Sequence, residues 1–201
     1  MEGRSSGLRT IVVAFVATIL AVTLAAGCGL QTDEANKELE KANARQQEAE
    51  AVIARLKALP TDWQNIFEGN GANATTVAQA QQLLQARQAD LDALDQALKE
   101  WFDRNAAILE LNVEEKVKDY VKLKRAAIKN WREYSTAYLR PLVKGYENLL
   151  QTIAAGKSIP EQQKAAADIT SLTSESIGKL QECLNAQKQA ERYFKENNVG
   201  K

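Results

Sequence analysis

Two seven-residue apolar series interleave between residues 77 and 108. Val77, Leu84, Leu91 and Leu98 form one; Ala80, Leu94, Trp101 and Ile108 form the other. Residues alternately three and four apart share one side of an α-helix, whereas a strand, with its period of two, would scatter them over both faces. The series are the a and d positions of a helix-bundle seam. They predict a helix over about 77–110, with Thr76 and Gln79 as its capping box. Arg87 and Asn105 occupy places in the series, so the seam is expected to carry polar layers.

The rest of the chain repeats this pattern. Ala42, Ala49, Val52, Leu56 and Leu59 place a first helix over about 33–59, which Pro60 is expected to end. Residues 60–75 then read as a long irregular connection, with Trp63, Ile66 and Phe67 on the apolar side of a single turn. One reading makes them a hydrophobic lid over the bundle end. The other makes them a distal-loop contact for a ligand or partner. A third helix is predicted to start after Asn112, with Glu115 as capping partner, and to run to about 155. Pro141 and Gly145 lie inside it and predict a kink or a break near Arg140, either a passive bend or a hinge. Ser158 and Glu161 form a capping box for a fourth helix ending near 196. Ala, Gln, Leu, Lys and Glu dominate, all good helix formers, and no stretch alternates with strand period.

Four amphipathic helices joined mostly by short links predict an all-α protein. The expected form is an antiparallel up-down-up-down four-helix bundle with long helices, preceded by a hydrophobic N-terminal signal helix. Residues 1–27 read as that signal, 28–32 as a short tether and 33–201 as the bundle domain.

The signal reading rests on order. Arg4 and Arg9 make a positive start, Ile11 to Ala26 is uncharged, and small residues close the segment. Leu24-Ala25-Ala26-Gly27-Cys28 resembles the lipobox of bacterial lipoproteins, although Leu24 stands one place earlier than that pattern prefers. The resemblance implies cleavage between Gly27 and Cys28 and a diacylglyceryl group on the Cys28 thiol, with the protein held at the outer face of the cell membrane. The alternative is an uncleaved transmembrane anchor, since Ile11 to Leu30 is long enough to span ~30 Å of hydrocarbon.

Removing residues 1–27 leaves Lys and Arg one fewer than Asp and Glu, because Arg4, Arg9 and Glu2 go from a balanced 26 and 26. A neutral chain argues against nucleic acid as a partner. The chain contains 0 His. Ser-His-Asp and Cys-His catalysis and His-containing zinc sites are therefore absent. Gly156-Lys157-Ser158 resembles the end of a phosphate-binding loop, but Gln151 stands where its first glycine belongs and no strand precedes it. Cys183, between Leu180 and Leu184, reads as a buried apolar side chain. No catalytic residue, metal or cofactor is expected.

One constellation points to binding. Lys118, Lys122, Arg125, Lys129 and Arg132 fall within about 40° of one line down the third helix. They lie nearly opposite the Val117, Tyr120, Ala127 and Trp131 core face. Clustered charge attracts polyanions even when net charge is zero, so the row reads as a strip for an anionic ligand. The alternative is a solvated face paired with neighbouring acids. Trp131, Tyr134 and Tyr138 have core spacing rather than the layout of a sugar-stacking platform.

Trp131-Arg132-Glu133-Tyr134, Tyr138, Tyr146-Glu147-Asn148-Leu149-Leu150 and the later Gln187-Lys188 and Tyr193-Phe194 resemble a family of cell-wall-binding lipoproteins of Gram-positive bacteria. The likeness covers about the last 80 residues. It implies a non-enzymatic, lipid-anchored surface protein that binds a cell-wall polymer, an anionic surface or an envelope protein, and it carries over no binding residues. The rival expectation is a structural or assembly subunit, of an envelope complex or a homo-oligomer, held by helix–helix packing.

Overall fold

The computed structural model describes residues 30–199. Gly27 and Cys28, with the rest of the signal segment, lie outside them. Helix α1 spans Thr32–Phe67, α2 Ala74–Leu109, α3 Glu115–Tyr134, α4 Arg140–Ala154 and α5 Ile159–Glu196. A π-helical segment, Ser135–Leu139, joins α3 to α4 without a break, so these elements make four long helical rods that pack against each other. There is no strand among the described residues. Helix α1 packs on α2, α2 also on α3 and α4, and α5 on α3 and α4.

Helix α1 does not stop at Pro60. It runs through the proline to Phe67, so most of the expected irregular connection is helical. Proline withholds the N–H that would bond the carbonyl of Leu56, which typically costs ~3 kcal/mol in a helix interior. Burial beyond it offsets that loss. Leu56 and Leu59 are buried, Trp63 is buried one turn later, and Ile66 and Phe67 pack half-buried against the same cluster. The Trp63 ring lies 5.0 Å from that of Phe67 and 4.9 Å from that of Tyr146 in α4. An ion-pair network also spans the proline. Arg87 of α2 donates to Asp62 at 2.8 Å and to Asp90 at 2.8 Å, while Arg55 donates to Asp90 at 2.7 Å. Arg87 thus explains one polar interruption of the α2 seam: its partner sits on the extended part of α1.

The true connection is 68–73, where Gly69 and Gly71 adopt φ of 75° and 61°, a backbone that other residues rarely take. Helix α2 begins earlier than Thr76. The Asn73 side chain accepts the N–H groups of Thr75 and Thr76 at 2.9 and 3.0 Å, and the Thr76 hydroxyl accepts the Asn73 N–H at 2.9 Å. The capping box is therefore Asn73–Thr76, not Thr76–Gln79. Helix α3 starts at Glu115 with no side-chain cap at its preceding residue. Asn112 instead ties the turn to the start of the described chain: its carbonyl accepts the Gln31 N–H at 2.8 Å and its N–H donates to Gln31 Oε1 at 2.9 Å.

The third rod does not break at Pro141, one of the two outcomes expected there. The helix widens before it, and the Arg140 N–H bonds the Ser135 carbonyl five residues back. A π-bulge absorbs the mismatch that proline introduces. The Ser158–Glu161 box forms as predicted, with both the N–H and hydroxyl of Ser158 donating to Glu161 Oε2 at 3.1 and 2.7 Å.

Two apolar clusters fill the interior. The larger includes Leu56, Leu59, Leu91, Leu94, Leu98, Trp101, Ile128, Trp131, Tyr134, Val143, Ile169 and Cys183. The smaller gathers Ala35, Leu39, Ile108, Val113, Val117, Tyr120, Val121, Ala190 and Val199.

Candidate functional site

The basic row of α3 divides into neutralised and unpaired members. Lys122 bonds Asp119 at 2.8 Å and Glu115 at 3.2 Å, so acids do lie beside the row and Lys122 is the member they take. Those two carboxylates raise the Lys122 amine above its ordinary value, the Asp119 hydrogen bond most. Among the described residues, Lys118, Arg125, Lys129 and Arg132 have no acidic partner. The Arg125 guanidinium lies 4.2 Å from the centre of the Phe102 ring of α2, and that of Arg132 lies 4.9 Å from it. Phe102 is half-buried between them. Lys129, one turn from each, is exposed. A guanidinium lying over a ring keeps its N–H edges for other partners, and Arg125 Nε is buried without any.

A second polar assembly lies at the junction of the two apolar clusters. On three elements the polar residue falls between the last residue of one cluster and the first of the other. These are Asn105 between Trp101 and Ile108, Lys124 between Val121 and Ile128, and Gln187 between Cys183 and Ala190. Lys124 donates to Gln46 Oε1; Gln46 donates to Glu50 at 2.7 Å; Gln187 donates to the same Glu50 oxygen at 2.9 Å. The Lys124 ammonium also stands 5.3 Å from the Trp101 ring and 5.9 Å from the Tyr120 ring. Burial pushes its pKa down to about 8, against the opposing pull of Glu191 and Glu50. Asn105 Oδ1, Gln187 Oε1 and Trp101 Nε1 are buried without a partner. The sequence marks Asn105 as a polar interruption, and Lys124 takes the place between Tyr120 and Ala127 along the α3 core face. The sequence does not mark Gln46, Glu50 and Gln187, because each is an ordinary residue for an exposed helix face, and only side-chain hydrogen bonds from α3 and α5 to α1 gather them.

The other candidates have structural surroundings. Trp63 is buried and held by Phe67 and Tyr146; with Ile66 and Phe67 it closes the end of α1 rather than standing on a free loop. Trp131 and Tyr134 are buried, their rings edge to face at 5.8 Å. Cys183 is fully buried, and burial lifts its thiol to about 12, far from the range of a reactive thiolate. Among the described residues no group of three or more Cys, Asp or Glu is placed to hold a metal ion, and no helix is long and apolar enough to cross a membrane.

No protein-family model matches the chain, nor does any curated protein or solved structure.

Proposed function

We propose that this is a lipid-anchored envelope protein that acts by binding, with an antiparallel helical rod carrying a cationic face toward an anionic component of the cell surface. The observation that carries the binding reading is the run of unpaired cations at Lys118, Arg125, Lys129 and Arg132. Two of these, Arg125 and Arg132, lie over the Phe102 ring, and the acids beside Lys122 are already engaged. The anchor reading rests on Gly27-Cys28 and on distance. Helix α1 begins at Thr32, so only Gly29, Leu30 and Gln31 separate it from the acylated residue.

The up-down-up-down sense is supported by partners whose numbers rise on one rod as they fall on the next. On α1 and α2 the ion pairs are Glu38 with Arg104, Arg45 with Glu100, Arg55 with Asp90 and Asp62 with Arg87. Glu133 with Lys179 and Asp119 with Tyr193 relate α3 to α5. In this arrangement the start of α1, the turn at 110–114 and the end of α5 share the membrane pole. The connections 68–73 and 155–158 share the outer pole.

The binding reading is tested by changing Lys118, Lys122, Arg125, Lys129 and Arg132 to Gln and measuring retention of the protein on isolated cell walls. Retention falls at least tenfold on this reading; unchanged retention removes it.

A structural or assembly subunit is the second reading, and α5 favours it. Only Ile169, Cys183, Gln187 and Ala190 are buried along that helix, while Ile159 and Ile177 are 70% and 65% exposed. A further helix or a second copy would cover such a face. The solution mass of the chain separates the two: a monomer supports the binding protein, a fixed oligomer the assembly subunit.

A further inference from the structure

Along α3 the cations near the membrane pole are mostly neutralised, and those further out are not. Lys116 pairs with Glu114 at 2.9 Å, and Lys122 with Asp119 and Glu115. Beyond Lys122, Arg125, Lys129 and Arg132 meet no acid among the described residues. Acids on α3 and on the facing α2 are committed elsewhere: Glu133 to Lys179 at 2.7 Å, Asp103 to Lys99 at 3.2 Å, and Asp95 to Arg140.

Phe102 organises the two arginines. Its ring lies within 4.2 and 4.9 Å of the two guanidinium groups, so both forks are held by the same side chain of the neighbouring helix. Arg125 and Arg132 are seven residues apart, two helical turns or about 10 Å along the axis, with Lys129 on the turn between. One compact oxyanion has too few oxygens to pair bidentately with both forks and bind the ammonium as well. A chain bearing repeated oxyanions would engage both forks and the ammonium together. Arginine suits this work because its planar donors pair bidentately with phosphate or carboxylate.

Height above the membrane decides between sources of negative charge. Arg125 lies ten residues and Arg132 seventeen residues past the start of α3, about 15 and 25 Å outward at 1.5 Å per residue. Charges are screened over about 8 Å at physiological salt. Headgroups of the protein's own bilayer are therefore two to three screening lengths away.

We propose that Arg125 and Arg132, both over Phe102, and Lys129 on the turn between them form a clamp for a linear polyanion with phosphate or carboxylate groups lying outside the membrane. The height argument rests on the tethered orientation proposed above; the clamp itself rests on the side-chain geometry.

The test uses the full chain in non-ionic detergent, with long-chain inorganic polyphosphate as the probe and affinity measured over a range of salt. The triple variant R125Q/K129Q/R132Q loses at least tenfold in affinity, and its log–log salt slope flattens by about 2. The double variant R125K/R132K keeps the charge and removes the forks, and it loses about fivefold. Gln at Lys57, Lys164 and Lys188, exposed cations on other faces, changes affinity less than twofold. Orthophosphate at equal phosphorus concentration displaces less than a tenth of the polymer. The proposal is overturned if the triple variant binds as the parent does, or if the three control lysines matter as much as the clamp. It is also overturned if phosphatidylglycerol vesicles bind with the same affinity and the same dependence on the clamp, since the target would then be a lipid surface. If the triple variant loses helicity, the lysine double variant decides alone, and parental affinity there overturns the clamp. Absence of acyl label at Cys28 would sink the anchor and the height argument while leaving polyphosphate binding intact. Absence of polyphosphate binding would sink the clamp and leave the anchor standing.

Discussion

Lys124 is the residue whose environment departs furthest from what its side chain prefers. It lies 4% exposed between two apolar clusters. Gln46 is its hydrogen-bond acceptor, and Glu50 from α1 and Glu191 from α5 face it electrostatically. A pKa of about 8 against an ordinary 10.5 corresponds to roughly 3 kcal/mol of penalty on the charged form. Below pH 8 the ammonium is charged in both folded and unfolded chains, and the folded state bears the full penalty. Between pH 8 and 10.5 the unfolded chain binds the extra proton, so this residue's contribution makes stability climb with pH. Lys124→Met removes that dependence. Denaturant melts of the two proteins should show the variant's advantage over the parent shrinking by about 3 kcal/mol from pH 7 to 10.5. Cys183 and the buried tyrosines titrate in the opposite sense in both proteins and drop out of the difference. A constant difference would show that Lys124 does not titrate in this window.

At the scale of elements, the apolar stripe was the reliable signal and proline the misleading one. Leu56, Leu59, Trp63 and Phe67 continue α1's three-and-four spacing straight across Pro60, and the helix follows the stripe. A single missing hydrogen bond does not stop the helix, because the buried side chains beyond it outweigh ~3 kcal/mol. Pro60→Ala restores that bond and should raise unfolding free energy by about 1–3 kcal/mol, read from chemical denaturation. The two helical glycines of the last rods part in the same way. Gly178 has nothing within 4 Å of where a Cβ would lie, so Gly178→Ala should stabilise by about 1 kcal/mol through helix propensity alone. At Gly145 a Cβ would lie 3.0 Å from Ile169 Cγ1 of α5. Gly145→Leu should therefore prise α4 from α5, with hydrogen exchange accelerating around Ile169 while α1 and α2 keep their protection. The sequence marked Gly145 as a weak point in a helix; its use as a close-approach point is visible only once α5 lies against it.

At the scale of the molecule, heptad spacing on α2 and the stripes of the other rods were enough to read an all-helical chain of four packed rods. The basic row was legible as well, because a helix face follows from numbering alone. Its division into paired and unpaired members was not, because that depends on which carboxylates and rings the neighbouring turns and α2 deliver. The polar layer was half legible for the same reason: Asn105 and Lys124 fall within apolar stripes, whereas half-buried Gln46 and Glu50 and buried Gln187 meet only by assembly. In the proposed function, a short tether at the start of α1 would fix one pole at the membrane and present the unpaired cations outward. The intact mass of the protein recovered from the membrane fraction tests this most directly. The account predicts a chain that begins at Cys28 and carries a diacylglyceryl group there; a chain that retains residues 1–27 and bears no lipid would contradict it.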